Sequence, residues 1–205
     1  MPRAKKSAAA AKPLVAPATS ECGAPGAGLL AVDLQSSLLG MLPIATARAV
    51  RARAGLALAA ATAFRLPILF TEQVPTKLGP TEPSLRKLAP DAAVFSKNTF
   101  SAIADDAVLA VLRAQQIEHL LLIGLETPVC LYQTALGALA EGFQVTVLSD
   151  AVAARRGDDH AACLAALRHS GVHVLPVETV FYALLHDASH PLFRAFTALV
   201  KTHAN

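Results

Sequence analysis

His119-Leu-Leu-Leu-Ile-Gly-Leu-Glu-Thr-Pro-Val-Cys130 decides how the rest of the chain is read. Its first half, His119 to Gly124, is the strongest strand signal in the sequence: an unbroken apolar run of the kind buried on both faces in a parallel sheet. Its second half leads into Val129 to Ala140, a helix-forming stretch that stops at Glu141-Gly142, a typical glycine end. Cys130 therefore stands where a helix begins, directly beyond a central strand. A thiolate at that place feels the helix's positive end and free backbone N–H groups, which are expected to lower its pKa.

On either side the pattern alternates. Gly28 to Asp33 and Leu66 to Thr71 are short apolar runs, the second with Pro67 at its start. Between them, Ala45 to Phe64 is a long helix-forming stretch without proline. Val74 to Pro83 carries three prolines and a glycine and reads as a loop, followed by a shorter strand over Ala92 to Ser96. Asp105 to Gln116 is helical by periodicity, with Asp105 as N-cap. Phe143 to Asp150 is a strand, Asp158 to Ser170 a helix ending at Gly171, and Val172 to Leu175 a last strand before two helices, Glu178 to Leu185 and Pro191 to Lys201. The expected fold class is α/β: three αβα layers around a mostly parallel, Rossmann-like sheet of about six strands, with helices on both faces.

Of 205 residues, 27–205 read as one domain and 1–26 as a disordered basic extension rich in Ala, Lys and Pro. A hydrophobic fraction of 54% against 16% charged residues excludes disorder across the body. Net charge is +3, and Arg3, Lys5, Lys6 and Lys12 supply much of the positive side, so the body shows no nucleic-acid footprint. Cys22, Cys130 and Cys163 form neither a CxxC pair nor a disulfide framework. No stretch reads as a transmembrane helix. These features point to a cytoplasmic protein that engages no membrane and no nucleic acid. An organelle-targeting role for the basic N-terminus is the alternative.

Parallel sheets carry their chemistry at the carboxyl ends of the strands. Standing there are Asp33, Thr71-Glu-Gln73, Lys97, the segment from Gly124 to Cys130, and Asp150. Lys97 would favour a Cys130 thiolate, and Asp33 could accept the thiol proton and return it to a leaving group. Backbone N–H groups of the Glu126–Cys130 turn could receive an oxyanion. Each residue also has a plainer reading: a packed cysteine, a helix-capping aspartate, a solvated lysine. Asp150 is read as structural, His119 as the donor or acceptor of a local hydrogen bond, and Cys163 as core. His160, His169, His173, His186 and His190 lie late in the chain or in helices, and no metal site and no cofactor are expected.

Three segments, Leu30 to Gln35, Phe95 to Ser101 and Leu122 to Cys130, together resemble the isochorismatase-like cysteine hydrolases, over roughly Gly28 to Lys201. Thr71 to Thr81 and His190 to Phe193 look like the branch of isochorismatase domain-containing proteins. The resemblance implies a triad of Asp33 (proton acceptor and donor), Lys97 (charge stabiliser) and Cys130 (nucleophile). It implies a cis peptide between Leu125 and Glu126, and an oxyanion hole from the N–H groups of Glu126 and Cys130. Metal-dependent nicotinamidases of the superfamily carry Asp-x-His where this chain has Thr71-Glu-Gln73, which argues against that activity. The cysteine argues against the vinyl-ether hydrolysis of true isochorismatases. The expected function is hydrolysis of a C–N bond in a small amide-type molecule through an acyl-enzyme. Gln35, Gln73, Phe100, Glu126 and Tyr132 are the expected pocket lining. The alternative is a catalytically idle oligomeric scaffold that retains the triad. A homo-oligomer, dimer or tetramer, is expected because Val180 to Leu185 is more apolar than a small monomer needs.

Overall fold

The computed structural model describes residues 26–203. The extension expected over 1–26, its targeting role and Cys22 lie outside the described residues, Gly26 excepted. Six strands form one sheet: β1 (Ala27–Val32), β2 (Ile68–Gln73), β3 (Ala93–Lys97), β4 (His119–Leu125), β5 (Gln144–Ala153) and β6 (His173–Leu175). Their order is β3-β2-β1-β4-β5-β6, and every pairing is parallel. The expected three-layer α/β architecture is what the chain adopts.

The apolar runs are continuous because both faces of the sheet are covered. Along β1, Leu29 and Ala31 enter one core while Leu30 and Val32 enter the other; along β4, Leu121 and Ile123 alternate with Leu120 and Leu122 in the same way. The first core receives α2 (Ile44–Ala63), α8 (Val177–Leu185) and α9 (Phe193–Thr202). The second receives α5 (Asp106–Ala114), α6 (Tyr132–Ala140) and α7 (Gly157–His169). Alanines at 54, 57, 60 and 61 let α2 lie close on the sheet. Val180, Phe181, Leu184 and Leu185 fill the first core. The apolar character of that segment thus serves the fold and carries no argument for an oligomer. Cys163, expected in the core, is only half-buried. No described helix is long and apolar enough to cross a membrane.

Two departures from the expected elements bear on the site. The segment 74–83 is not a bare loop: α3 (Pro75–Leu78) and α4 (Pro83–Arg86) each begin at a proline, whose fixed φ suits a first helical position. With α1 (Ser36–Gly40) they shape the edge beyond β1 and β2. Strand β5 runs three residues past Asp150 because the pairing with β4 shifts register between Leu122 and Gly124. Asp150 accordingly sits within the strand, accepts the Val177 amide at 2.8 Å and lies 3.7 Å from Arg53, a structural anchor for α8.

Gly124 sits where β4 approaches β1 most closely. Its φ is +141°, and a Cβ there would meet the Val32 carbonyl oxygen at 2.0 Å. Gly124→Ala is expected to cost at least about 3 kcal/mol, seen as a large drop in the urea midpoint. A midpoint near that of the wild type would show that β1 and β4 are free to separate.

Candidate active site

Asp33, Thr71, Gln73 and Lys97 come from the carboxyl ends of three adjacent strands. Parallel register sets Val32 beside Thr71 and Gln73 beside Lys97. Asp33 follows β1 in a left-handed conformation, φ 54°, that aspartate tolerates better than most residues. Its carboxylate is fully buried and accepts from the Thr71 hydroxyl at 2.8 Å and from Lys97 Nζ at 2.8 Å. Lys97 Nζ also donates to Gln73 Oε1 at 2.6 Å and to the carbonyls of Thr99 and Phe100 at 3.1 and 3.2 Å. Neither side chain of the ion pair reaches solvent. A buried charge pair holds only when its remaining hydrogen-bonding positions are filled, as they are here.

Cys130 reaches the pair from the β4 side. It lies in a wide π-helical turn, Thr127–Leu131, that precedes α6, so the helix does not start at the cysteine as expected. Its sulfur is 3.9 Å from Gln73 Oε1. The implied cis peptide is absent: no described peptide bond is cis, and Glu126 turns the chain with φ 43° and ψ 77°. Two contacts from the β5–α7 side hold this turn. Glu126 pairs with Arg155, whose Nε lies at 3.2 Å and backbone amide at 3.3 Å. The hydroxyl of buried Thr127 is hydrogen-bonded to His160 Nδ1 at 2.9 Å, and burial pulls the His160 pKa below its ordinary value. The place of His160 beside the turn follows only from the packing of α7.

The expected lining residues divide. Gln73 stands within the cluster. Gln35 is fully buried behind it: its Oε1 accepts the Gln73 amide at 2.9 Å, and its Nε2 donates to the carbonyls of Gln73 and Gly79 at 3.1 and 2.6 Å. Its amide extends the β1–β2 ladder and faces backbone, not the opening. Phe100 gives its carbonyl to Lys97 and leaves its ring largely exposed. Tyr132 is half-buried against the second core. Glu126 has its charge matched by Arg155 at 3.2 Å. Among the described residues, no three His, Cys, Asp or Glu side chains converge to hold a metal. Two open surface grooves lie apart from this cluster. One, of about 600 Å³, is at the amino ends of β2 and β3, and one of about 510 Å³ lies along Ile44, Ala45, Arg48 and Ala49.

The expectation of an acidic thiol fails. Burial raises the Cys130 pKa first, the Asp33 charge raises it further, and Lys97 only partly offsets them, so the thiol is pushed up to about 12. An unfolded cysteine ionises near its ordinary 9.0 and the folded one near 12. Above pH 9 the unfolded chain therefore holds fewer protons than the native one, and stability contributed by Cys130 is lost as pH climbs toward 12. The urea midpoint should fall more steeply between about pH 8.5 and about pH 10.5 in the wild type than in Cys130→Ala. Equal slopes would contradict the raised thiol.

The isochorismatase domain matches residues 27–179. A curated relative, isochorismatase domain-containing protein 2 of Bos taurus, is 40% identical over 137 residues, 66% of this chain and 65% of that one. The MAR1 ribonuclease structure from Caenorhabditis elegans superposes with a TM-score of 0.82 at 26% identity, covering 88% of this chain and 92% of that one. YcaC from Pseudomonas aeruginosa, solved with hexane-2,5-diol and covalent acrylamide, superposes with a TM-score of 0.78 at 26% identity, covering 88% and 92%. With its fold, its hydrolase relatives and its domain match in agreement, this chain belongs to the isochorismatase family of hydrolases.

Proposed function

We propose that the chain is a cysteine hydrolase that cleaves the C–N bond of a small amide, with Cys130 as nucleophile, Asp33 as proton shuttle and Lys97 as charge stabiliser. The observation that carries this reading is the fully buried Asp33–Lys97 pair at 2.8 Å acting on the Cys130 thiol at the carboxyl edge of the sheet. Asp33 takes the thiol proton as the sulfur attacks the carbonyl carbon. The N–H groups of Glu126 and Cys130 receive the oxyanion. Collapse breaks the C–N bond, and Asp33 returns the proton to the departing amine. A water deprotonated by Asp33 then hydrolyses the thioester and restores the thiol. Covalent acrylamide in the P. aeruginosa neighbour supports the nucleophile in this reading, since acrylamide is attacked at its vinyl carbon and keeps its C–N bond.

The raised thiol favours a second reading, an idle scaffold whose cysteine stays protonated. Small amides, with RNA oligomers included because of the ribonuclease name of the C. elegans neighbour, separate the readings when wild type and Cys130→Ala are assayed side by side. The expected result is turnover of an amide, a mass increment on Cys130 in the quenched enzyme, and a loss of at least about a thousandfold in Cys130→Ala without loss of cooperative melting. An equally active alanine variant ends the covalent mechanism; a wild type inert toward every substrate leaves the scaffold.

We also propose self-association through α2. Met41 and Ile44 are 50% and 89% exposed and lead an outward stripe with Ala45, Ala49 and the single charge of Arg48. A second copy of the same stripe is an apolar partner for it. Ile44→Asp should lower the mass measured by light scattering to that of one chain, with an unaltered melting curve. A wild type already at monomer mass removes the proposal.

A further inference from the structure

We propose that Gln73 is a positioning residue that divides Lys97 between itself and Asp33 and holds the Cys130 thiol on its side-chain carbonyl. For its consequence in turnover this rests on the cysteine-hydrolase reading, but its test reads the thiol itself. Gln73 Oε1 accepts from Lys97 Nζ at 2.6 Å, a shorter contact than the 2.8 Å to Asp33, and lies 3.9 Å from Cys130 Sγ. Through this one atom it touches both the cation and the sulfur.

The orientation of this amide is forced. Its Nε2 donates to the Asn98 carbonyl at 3.1 Å. A flipped amide would aim two N–H donors at an ammonium and a thiol, and would set its oxygen against the Asn98 carbonyl oxygen. The backbone beneath it is pinned on both sides, since Gln35 accepts the Gln73 amide and donates to the Gln73 carbonyl. The carbonyl therefore points into the cluster by construction of two strands and one buried side chain.

The chemistry follows from donor counting. Lys97 has three protons and four acceptors: Asp33, Gln73, Thr99 and Phe100. Lys97 also acts on the Cys130 sulfur, and the proton it gives to Gln73 weakens that contact, so less cationic character is available to a thiolate. A glutamine does this without charge, which leaves Asp33 as the basic group of the cluster. The resting thiol, donating to Gln73, stays protonated and in place until Asp33 removes its proton.

Two substitutions pull in opposite directions. Gln73→Leu removes the acceptor and strengthens the hold of Lys97 on the sulfur; Gln73→Glu keeps the shape and adds a negative charge beside it. In the full chain, iodoacetamide labelling of Cys130 is followed by peptide mass spectrometry from about pH 6 to about pH 11, with Cys163 as internal reference. Gln73→Leu should label about tenfold faster than wild type at a given pH, with its onset about one pH unit lower, and Gln73→Glu about tenfold slower. A purely structural role would lower the melting temperature and leave both onsets where they were. Onsets within about a factor of two of wild type in folded variants overturn the proposal. Should Gln73→Leu not melt cooperatively, the isosteric Gln73→Glu decides alone. Opposed shifts in a protein that turns over no amide keep the positioning role and remove the hydrolase. Amide turnover lost in Cys130→Ala, with unshifted Gln73 variants, keeps the hydrolase and removes the positioning role.

Discussion

The ion pair between Asp33 and Lys97 is the constraint on which the carboxyl edge of this sheet depends. Taking two charges fully out of water costs several kcal/mol per ion unless each remaining polar position finds a partner. Asp33 needs the Thr71 hydroxyl, and Lys97 needs Gln73 and two backbone carbonyls. Those partners sit on β2 and the turn beyond β3, while the pair itself comes from the ends of β1 and β3. They meet only in a parallel sheet of this order and register. A slip of one residue between β2 and β3 would send the Lys97 side chain to the opposite face and leave Asp33 buried and unpaired.

Much of the surrounding structure serves that requirement. The Gln35 side chain continues the β1–β2 ladder past its last backbone pair and fixes Gln73. Glu72 accepts both the amide and the hydroxyl of Thr81, at 2.7 and 2.8 Å, which folds the segment with α3 and α4 back over the strand ends. Asp33, Val74 and Glu126, at the ends of β1, β2 and β4, all have positive φ. For Val74, a β-branched residue, this is a strained state that persists only where neighbours over-determine it. Its amide donates to the Lys97 carbonyl at 3.0 Å, so the strain is held in place by the same strand that carries the cation.

What the sequence made legible follows from which properties are local. Apolar runs without alternation identify doubly covered strands, and those strands were found because burial on both faces is written in every residue of Leu120 to Ile123. Asp33 and Lys97 stand out as candidates because each ends a strand run, and Cys130 because it lies just beyond one. The full length of β5 was not legible, since Ser149 and Asp150 break its apolar pattern and a register shift carries the strand past them. The roles of Gln35 and His160 were not legible either. One depends on pairing with a residue 38 positions away, the other on α7 packing against the turn. Segment 180–185 looked surplus in apolar surface because a sequence does not show how deep a core is.

The raised pKa of the thiol is illegible in the sequence for a related reason. Helix termini and neighbouring charges can be read from sequence order, whereas desolvation belongs to the finished fold, and here desolvation is the larger effect. A strongly acidic thiol ionises without help but is a weaker nucleophile, because nucleophilicity falls with pKa. A thiol kept protonated by burial and by Asp33 presents a more basic sulfur once its proton is removed. In the proposed mechanism the group that removes it is the carboxylate that keeps it protonated. Under that mechanism ionisation is tied to the moment of attack, when the forming bond draws off the negative charge that the buried pocket would otherwise oppose.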